Sequence, residues 1–186
     1  VKAVAARDGG FVLTCAGRRF AAGKLVLAAG LGNKLLGPTV GIRVPVRPQR
    51  GQILVTERVA PFLRLPTTTI NQTEVGSLLL GGSHEDAGYD HGVTSPVMQA
   101  IASRACSIFP RLKGTRVVRA WGSLRPLMPD ELPQYEASRQ YPGAYLACSH
   151  SGVTLAAVHA IDFARFIVDG ALPKYLKVFN GDRFNV

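Results

Sequence analysis

Residues 24–30 read KLVLAAG, and this run is the most informative strand signal in the chain. It is apolar after its lysine and ends at Gly30, where a glycine loop begins at residues 30–33 (GLGN). Short continuous apolar runs are typical of strands that are covered on both faces of a parallel sheet. We therefore expect a buried parallel strand here, in a fold that combines helices and strands.

The segments before this run predict an antiparallel meander. Residues 1–6 and 11–15 favour strands, and the turn that joins them is expected at residues 8–10 (DGG). Residues 18–21 favour a short third strand. The meander is expected to lead directly into the parallel strand.

From Val44 onward the pattern favours a second, largely antiparallel sheet. Its predicted strands are short and separated by turn residues, and they lie at residues 44–46, 51–57, 67–71 and 77–82. A helix is expected to start with Ser95 as its N-cap and Pro96 at its first position, and to end at Pro110.

The last part of the chain predicts two further strands and a long helix. The strands are expected at residues 115–124, closed by Arg125 and Pro126, and at residues 145–148. The helix is expected over residues 154–169, mostly buried, with Gly170 as its C-terminal cap. The predicted fold class is therefore mixed α/β (α+β), with an antiparallel sheet and flanking helices.

Composition limits the classes of function. Of 186 residues, 47% are hydrophobic and 18% are charged, which excludes a disordered chain. The net charge of +10 suits nucleic acid, an anionic surface, an anionic ligand or an acidic partner segment. The basic residues form no dense tract and no aromatic residues alternate with them, so no specific nucleic-acid binding is expected.

The cysteines indicate the redox compartment. Cys15, Cys106 and Cys148 are odd in number and none forms a CxxC pair, which argues against a disulfide framework or a zinc site. A cytoplasmic location is expected, with a peripheral position at the inner membrane as the alternative. No apolar run long enough to span a bilayer and no secretory signal are evident, and the start at Val1 suggests a trimmed product.

Five segments in a fixed order carry a resemblance to a known family. They are KLVLAAG (24–30), RPQRGQILVTE (47–57), LLLGGSHEDAGYD (78–90), WGSLRPLMPD (121–130) and HSGVTLA (150–156). In this order the chain resembles the C-terminal portion of the D-amino-acid oxidase (DAO) family of flavoproteins. That family includes glycine oxidase, sarcosine oxidase and the flavin subunits of cyanide synthase and opine oxidase.

The resemblance implies a cofactor, a reaction and a domain plan. The cofactor is FAD, and the reaction is oxidation of the C–N bond of an amino acid or secondary amine by hydride transfer. Residues 1–43 would form part of an FAD-binding domain, residues 44–124 the substrate-binding domain, and residues 125–186 a return to the FAD-binding domain. No GxGxxG segment for the pyrophosphate occurs in the chain. We therefore expect this chain not to retain FAD without an N-terminal FAD-binding segment or a partner subunit.

The resemblance also assigns cofactor contacts. Gly30 would lie in the loop beside the flavin, with a plain strand-to-loop turn as the alternative. Arg50 and Gly51 would lie near the ring where the chain crosses into the second sheet, with a solvated charge as the alternative for Arg50. Gly152, Val153 and Thr154 would open the last helix and direct its free N–H groups towards the reduced flavin, with ordinary helix entry as the alternative.

Arg125 and His150 are the predicted substrate contacts. A guanidinium binds a carboxylate through two parallel hydrogen bonds, and the arginine of the matching WGxLRP segment has that role in relatives. The alternative for Arg125 is a salt bridge to Asp130 or Glu131. At His150 the chain differs from glycine oxidase, which has an arginine nearby, so the identity of the substrate stays open.

Two other groupings suggest different chemistry. Residues 83–86 (SHED) with residues 90–91 (DH) lack the helical histidine spacing of a metal site, and no metal is expected. Cys148 and His150 share one side of a predicted strand, but no third orienting group is evident, so a buried inert thiol is expected.

Two alternative functions remain: a non-catalytic subunit of a heteromeric flavin dehydrogenase, or a basic nucleic-acid-binding module.

Overall fold

A computed structural model describes residues 1, 3–7 and 9–184. The chain divides into two compact units. The discontinuous unit comprises Val1–Arg47 and Pro126–Val186, and the central unit comprises Pro48–Arg125. Both units combine strands with helices, and the predicted mixed α/β class is confirmed. Which unit holds flavin and which holds substrate stays a prediction.

The discontinuous unit begins with the meander that the sequence predicts. Strands β1 (Ala3–Arg7), β2 (Gly10–Cys15) and β3 (Arg18–Ala22) form an antiparallel sheet in that order. The predicted turn at residues 8–10 includes Asp8, which lies outside the described residues. Phe11, only 3% exposed, places this sheet against the main core of the unit.

The second sheet of this unit contains the parallel strand. Its order is β4 (Leu25–Leu27), β10 (Ala144–Cys148) and β9 (Gln134–Ala137), with β4 parallel and β9 antiparallel to β10. A short helix, α1 (Asn33–Leu36), follows β4 after the glycine loop. The predicted burial of both faces of β4 is wrong for this chain. Leu25 and Leu27 enter the core, but Val26 between them is 41% exposed because its side of the strand borders a cavity.

The central unit is built on one four-stranded sheet. Its order is β6 (Ile70–Gln72), β7 (Ser77–Gly81), β5 (Arg47–Arg58) and β8 (Val117–Leu127), and β7 is antiparallel to both of its neighbours. Helix α2 (Ser95–Ile108) supplies Ile101 and Ala105 to a cluster with the sheet. The sheet residues of that cluster are Leu54, Ile70, Leu78 and Leu80.

The observed strands differ from the predicted strands in three places. Residues 44–46 form no strand; Val44 and Val46 are buried in the discontinuous unit as irregular chain before β5 begins at Arg47. β8 does not close at Arg125 but continues through Pro126, because β8 lies at the sheet edge, where a residue without an N–H is tolerated. β9, four residues long, was not predicted.

The start of α2 is one residue earlier than predicted. Thr94, not Ser95, is the N-cap, and it makes no side-chain capping bond. Gln52 explains this choice, since its Oε1 accepts a bond from the Thr94 N–H at 2.9 Å and its Nε2 donates to Thr94 Oγ1 at 3.2 Å. The helix ends at Ile108, before Pro110, as predicted.

The C-terminal helical segment consists of α3 (Ala156–Val158), a π-helical turn (His159–Phe163) and α4 (Ala164–Asp169). Gly170 caps it in the left-handed conformation, as predicted. The prediction of a mostly buried helix is wrong. Phe163 and Phe166 enter an aromatic cluster, but Ile161 and Val168 are 51% and 74% exposed because that cluster covers one side only. Among the described residues, no helix is both long and apolar enough to cross a membrane.

Candidate functional site

A cavity of about 390 Å³ lies at the carboxyl ends of β4 and β10 in the discontinuous unit. Because these strands are parallel, their carboxyl ends meet at one edge of the sheet, which is where α/β folds usually bind ligands. The walls are largely apolar: Val26, Ala28, Ala147, Phe163 and Ile167 line the cavity together with Cys148, Ser149 and His159. Such walls suit the apolar part of a ligand.

Two predicted cofactor residues, Gly30 and Gly152, both line this cavity. Gly30 has a φ of 54°, a left-handed conformation that side chains rarely adopt, so a glycine is required by the backbone itself. An added Cβ at Gly152 would meet no atom within 4 Å, which leaves its backbone open to a ligand. The structure therefore brings together the loop after β4 and the turn after β10.

Val153 and Thr154 do not line the cavity. Gly152, Val153, Thr154 and Leu155 form a turn, and the helix begins only at Ala156. The prediction that residues 152–154 open a long helix is therefore wrong. The helical backbone instead runs from Ala156 through the π-helical turn to Asp169, so it begins two residues later than predicted.

His150 and Cys148 do not act as a pair. His150 is exposed, and its Nδ1 lies 3.0 Å from Ser151 Oγ. The Cys148 thiol is buried and lies 3.7 Å from the Gly30 carbonyl oxygen. Burial raises the pKa of Cys148, and the nearby Asn33 side chain offsets this only in part. Cys148 is thus the inert thiol that the sequence indicates.

A tyrosine–histidine pair beside the cavity was missed in the sequence. Tyr135 OH lies 2.9 Å from His159 Nε2, and His159 lines the cavity from the π-helical turn. Burial raises the pKa of Tyr135 and lowers that of His159, so both groups are held neutral. No motif connects two residues 24 positions apart, and a π-turn, which often occurs at functional sites, has no sequence signature of its own.

Arg125 lies half-buried in the central unit and has no carboxylate partner among the described residues. Its Nη1 donates a hydrogen bond to the Ser83 carbonyl oxygen at 3.0 Å. One of the two predicted alternative partners, Asp130, is instead bound by Arg183 at 2.7 Å. The remaining N–H groups of this guanidinium are therefore available for a ligand.

Arg50 is a structural ion-pair residue in this chain. The residue is 7% exposed, and its guanidinium pairs with Glu85 at 2.8 Å and with Asp90. The alternative of a solvated charge is wrong. Hydrogen bonding to Glu85 raises the pKa of Arg50 although burial opposes it. The guanidinium of Arg50 is engaged by both acids, and its cofactor role stays a prediction.

Acidic residues near Arg50 form no metal site. Among the described residues, no group of His, Cys, Asp and Glu is arranged to hold a metal ion. Glu85 is occupied by hydrogen bonds from Arg50, Gln52 and Ser83. His84 lies beside Gln49, with its Nδ1 at 2.9 Å from the amide oxygen.

The discontinuous unit has a smaller pocket of about 170 Å³, which is polar and contains Glu136. Gln134 Nε2 donates to Glu136 Oε2 at 2.8 Å, and the backbone N–H of Gly181 adds a second bond. Burial raises the pKa of Glu136 above its ordinary value of 4.5 despite these bonds. The carboxylate form is therefore less favoured in the folded chain than in the unfolded chain.

We expect Glu136→Gln to stabilise the chain at neutral pH. The raised pKa means that the folded state binds this proton more tightly. The contribution of Glu136 to stability is therefore fully present below pH 4.5 and is lost as pH rises through the folded pKa. Glutamine keeps the accepting oxygen and removes the charge. In urea unfolding between pH 4 and 8, the stability of Glu136→Gln relative to the unsubstituted chain should increase as pH rises, whereas the exposed Glu74→Gln should keep a constant difference from it. Identical pH profiles would contradict this prediction.

Comparison with known proteins identifies the family. The profile of the family described as FAD dependent oxidoreductase (DAO) matches residues 1–165. The chain belongs to this family. The resemblance drawn from the ordered segments is thereby confirmed.

Two curated relatives show how much of the family's length is present. The chain is 39% identical over 185 residues to an opine oxidase subunit of Agrobacterium tumefaciens, covering 100% of this chain and 50% of the relative. It is 33% identical over 167 residues to the hydrogen cyanide synthase subunit HcnC of Pseudomonas protegens, covering 86% of this chain and 40% of the relative. The chain thus spans about half the length of these relatives.

Solved structures show the same fold. Glycine oxidase from Geobacillus kaustophilus superposes with a TM-score of 0.82 at 24% identity, covering 89% of this chain and 47% of the enzyme. L-proline dehydrogenase from P. horikoshii superposes with a TM-score of 0.88 at 20% identity, covering 100% of this chain and 53% of the enzyme. At these identities the likeness concerns the fold.

Proposed function

We propose that this chain is part of an FAD-dependent oxidoreductase that oxidises the C–N bond of an amino acid or secondary amine bearing a carboxylate. Family membership supports the flavin chemistry. The observation that supports the substrate class is Arg125, a half-buried guanidinium without a carboxylate partner among the described residues. A buried cation of this kind is normally paired, so its open N–H groups suit an anionic ligand.

The residues around the cavity fit part of FAD. Gly30 and Gly152 supply backbone without side chains, and Val26, Phe163 and Ile167 supply an apolar wall. When bound, FAD would accept the hydride from the carbon next to the substrate nitrogen. The protein's part is to hold the ring, to exclude water from it and to orient the substrate. Predicted contacts of Val153 and Thr154 stay proposals, with their backbone as the relevant group.

Arg125 would orient the substrate by its carboxylate. Two parallel hydrogen bonds from one planar guanidinium fix both the position and the plane of a carboxylate. His150 stays a proposed second substrate contact, although its imidazole is exposed and lies against Ser151. No general base is assigned, since removal of the α-hydrogen as hydride requires none.

A further polypeptide segment is proposed for full FAD binding. The relatives are about twice as long as this chain, and the chain contains no GxGxxG turn. Two of the relatives are named as enzyme subunits, so a partner subunit is the alternative source. The cytoplasm stays the proposed location because Cys15, Cys106 and Cys148 are free thiols.

Absorbance spectroscopy tests the need for that segment. We expect the purified chain to be colourless after incubation with FAD and desalting, because the pyrophosphate lacks its helix N-terminus. A retained flavin band at one FAD per chain would contradict this expectation and make the chain sufficient for binding.

A hybrid protein tests the proposed reaction. The chain would be joined to the part of the Agrobacterium opine oxidase relative that it does not match, and loaded with FAD. Under anaerobic conditions, we expect an amine that carries a carboxylate to bleach the flavin band faster than its carboxamide analogue. A fully loaded hybrid that no carboxylate-bearing amine or amino acid bleaches would count against the proposed function.

A further inference from the structure

Gly51 and the guanidinium of Arg125 are in direct contact. A Cβ added at Gly51 would meet Nη1, Nη2 and Cζ of Arg125, the last at 2.6 Å. The three atoms are nearly equidistant from this point, so the plane of the guanidinium lies across Gly51. Gly51 belongs to β5 and is not among the glycines with positive φ. The backbone conformation at Gly51 would therefore allow any residue. Glycine is required because the guanidinium of Arg125 occupies the space that a side chain would need.

Ser83 fixes one end of the same guanidinium. Its carbonyl oxygen accepts the bond from Arg125 Nη1 at 3.0 Å. Its side chain is held from two directions, since the Gln52 N–H donates to Ser83 Oγ at 2.7 Å and Ser83 Oγ donates to Glu85 Oε1 at 2.7 Å. Ser83 thus has little freedom to move with respect to β5.

Glu85 fastens this loop to β5. The backbones of Arg50 and Glu85 exchange two hydrogen bonds, at 2.9 and 3.0 Å. Their side chains add an ion pair at 2.8 Å, and Gln52 Nε2 donates to Glu85 as well. Burial works to raise the pKa of Glu85, but hydrogen bonds from Arg50, Ser83 and Gln52 outweigh it and hold the pKa below its usual value.

We propose that Gly51, Ser83 and Glu85 are positioning residues for Arg125. Gly51 gives the guanidinium room to lie flat, Ser83 orients it through Nη1, and Glu85 holds Ser83 in place. The edge formed by Nε and Nη2 has no partner among the described residues, and it has the spacing that a single carboxylate accepts bidentately. This inference rests on the proposed function, in which Arg125 binds the substrate carboxylate.

NMR of the arginine-labelled 186-residue chain tests the inference. Acetate is titrated while the Nε–Hε resonance of Arg125 is followed, with acetamide as the neutral control. We expect Gly51→Ala to weaken acetate binding by roughly tenfold or more, because a displaced guanidinium loses its bidentate geometry. Gly81→Ala is the matched control, since its Cβ would make only an ordinary contact with Ile53 at 3.5 Å. Its affinity should stay within about twofold of the unsubstituted chain.

A thermodynamic cycle separates positioning from a general loss of structure. In an Arg125→Lys background, which lacks the Arg125 resonance, acetate binding is followed by the backbone N–H resonance of labelled Arg50, the residue before Gly51. Gly51→Ala should there cause no further loss of acetate binding, because the group that it displaces is absent. Glu85→Gln, which keeps the accepting oxygens in part, should weaken acetate binding less than Gly51→Ala. An Arg125 resonance that does not respond to acetate in the unsubstituted chain would overturn the carboxylate role and the positioning with it. Full acetate affinity in folded Gly51→Ala would overturn the positioning alone.

Discussion

Replacing Arg125 by alanine should lower kcat/KM for a carboxylate-bearing amine by roughly a hundredfold or more, chiefly through KM. Each hydrogen bond between charged groups contributes about 1.5–3 kcal/mol, and a bidentate pair supplies two of them. Steady-state kinetics of the FAD-loaded hybrid would measure the change. The loss should be confined to substrates with a carboxylate, so the preference for the acid over its carboxamide should disappear in the variant.

Arg119 provides the matched control for this prediction. It lies on the same strand, β8, is exposed, and packs over the Trp121 ring at 5.6 Å. Arg119→Ala removes an equal charge and should leave KM nearly unchanged. Arg125→Lys should lie between the unsubstituted and alanine forms, because an ammonium keeps the charge but cannot form the planar pair. Equal losses of kcat/KM in Arg119→Ala and Arg125→Ala would contradict the prediction, because they would show that only the long-range effect of the positive charge matters.

The sequence predicted those elements of the fold whose formation depends on local residue patterns. The strand-favouring residues 11–15 and the apolar run of KLVLAAG predicted β2 and β4, because the preference for an extended backbone is a property of these short segments themselves. The exposure of Val26 to solvent could not be predicted in this way. Whether the second face of a strand is covered depends on what packs there, and composition describes only the strand itself.

The candidate site was accessible only in part, for a similar reason. Gly30 and Gly152, which the resemblance assigns to the flavin, both line one cavity, and their contact with the cofactor stays a prediction. The ion pair of Arg50 was not predicted, since its partner Glu85 is 35 residues away and the bridge that joins them follows no motif. The cavity residue His159 was missed because its partner Tyr135 lies on β9, which the sequence did not reveal.

Leu146→Ala should strongly destabilise the discontinuous unit. Leu146 is fully buried at the centre of β10, paired with Leu27 of the parallel strand and with Glu136 of the antiparallel strand. Removing a buried leucine costs about 2–5 kcal/mol, because apolar burial is lost and a cavity remains. Folded proteins typically have a free energy of unfolding of about 5–15 kcal/mol, so this loss would be a large fraction of the total stability. Urea unfolding followed by circular dichroism would measure it.

Val168→Ala in the same unit tests whether burial is the cause. Val168 is 74% exposed on α4, so its truncation should change the free energy of unfolding by less than about 0.5 kcal/mol. Similar losses for Leu146→Ala and Val168→Ala would contradict the assigned core. Because β10 leads directly to Cys148 and Ser149 at the cavity, amide exchange should accelerate in β10 and at the cavity rim together in Leu146→Ala. The cavity is thus expected to be only as well ordered as the strand that supports it.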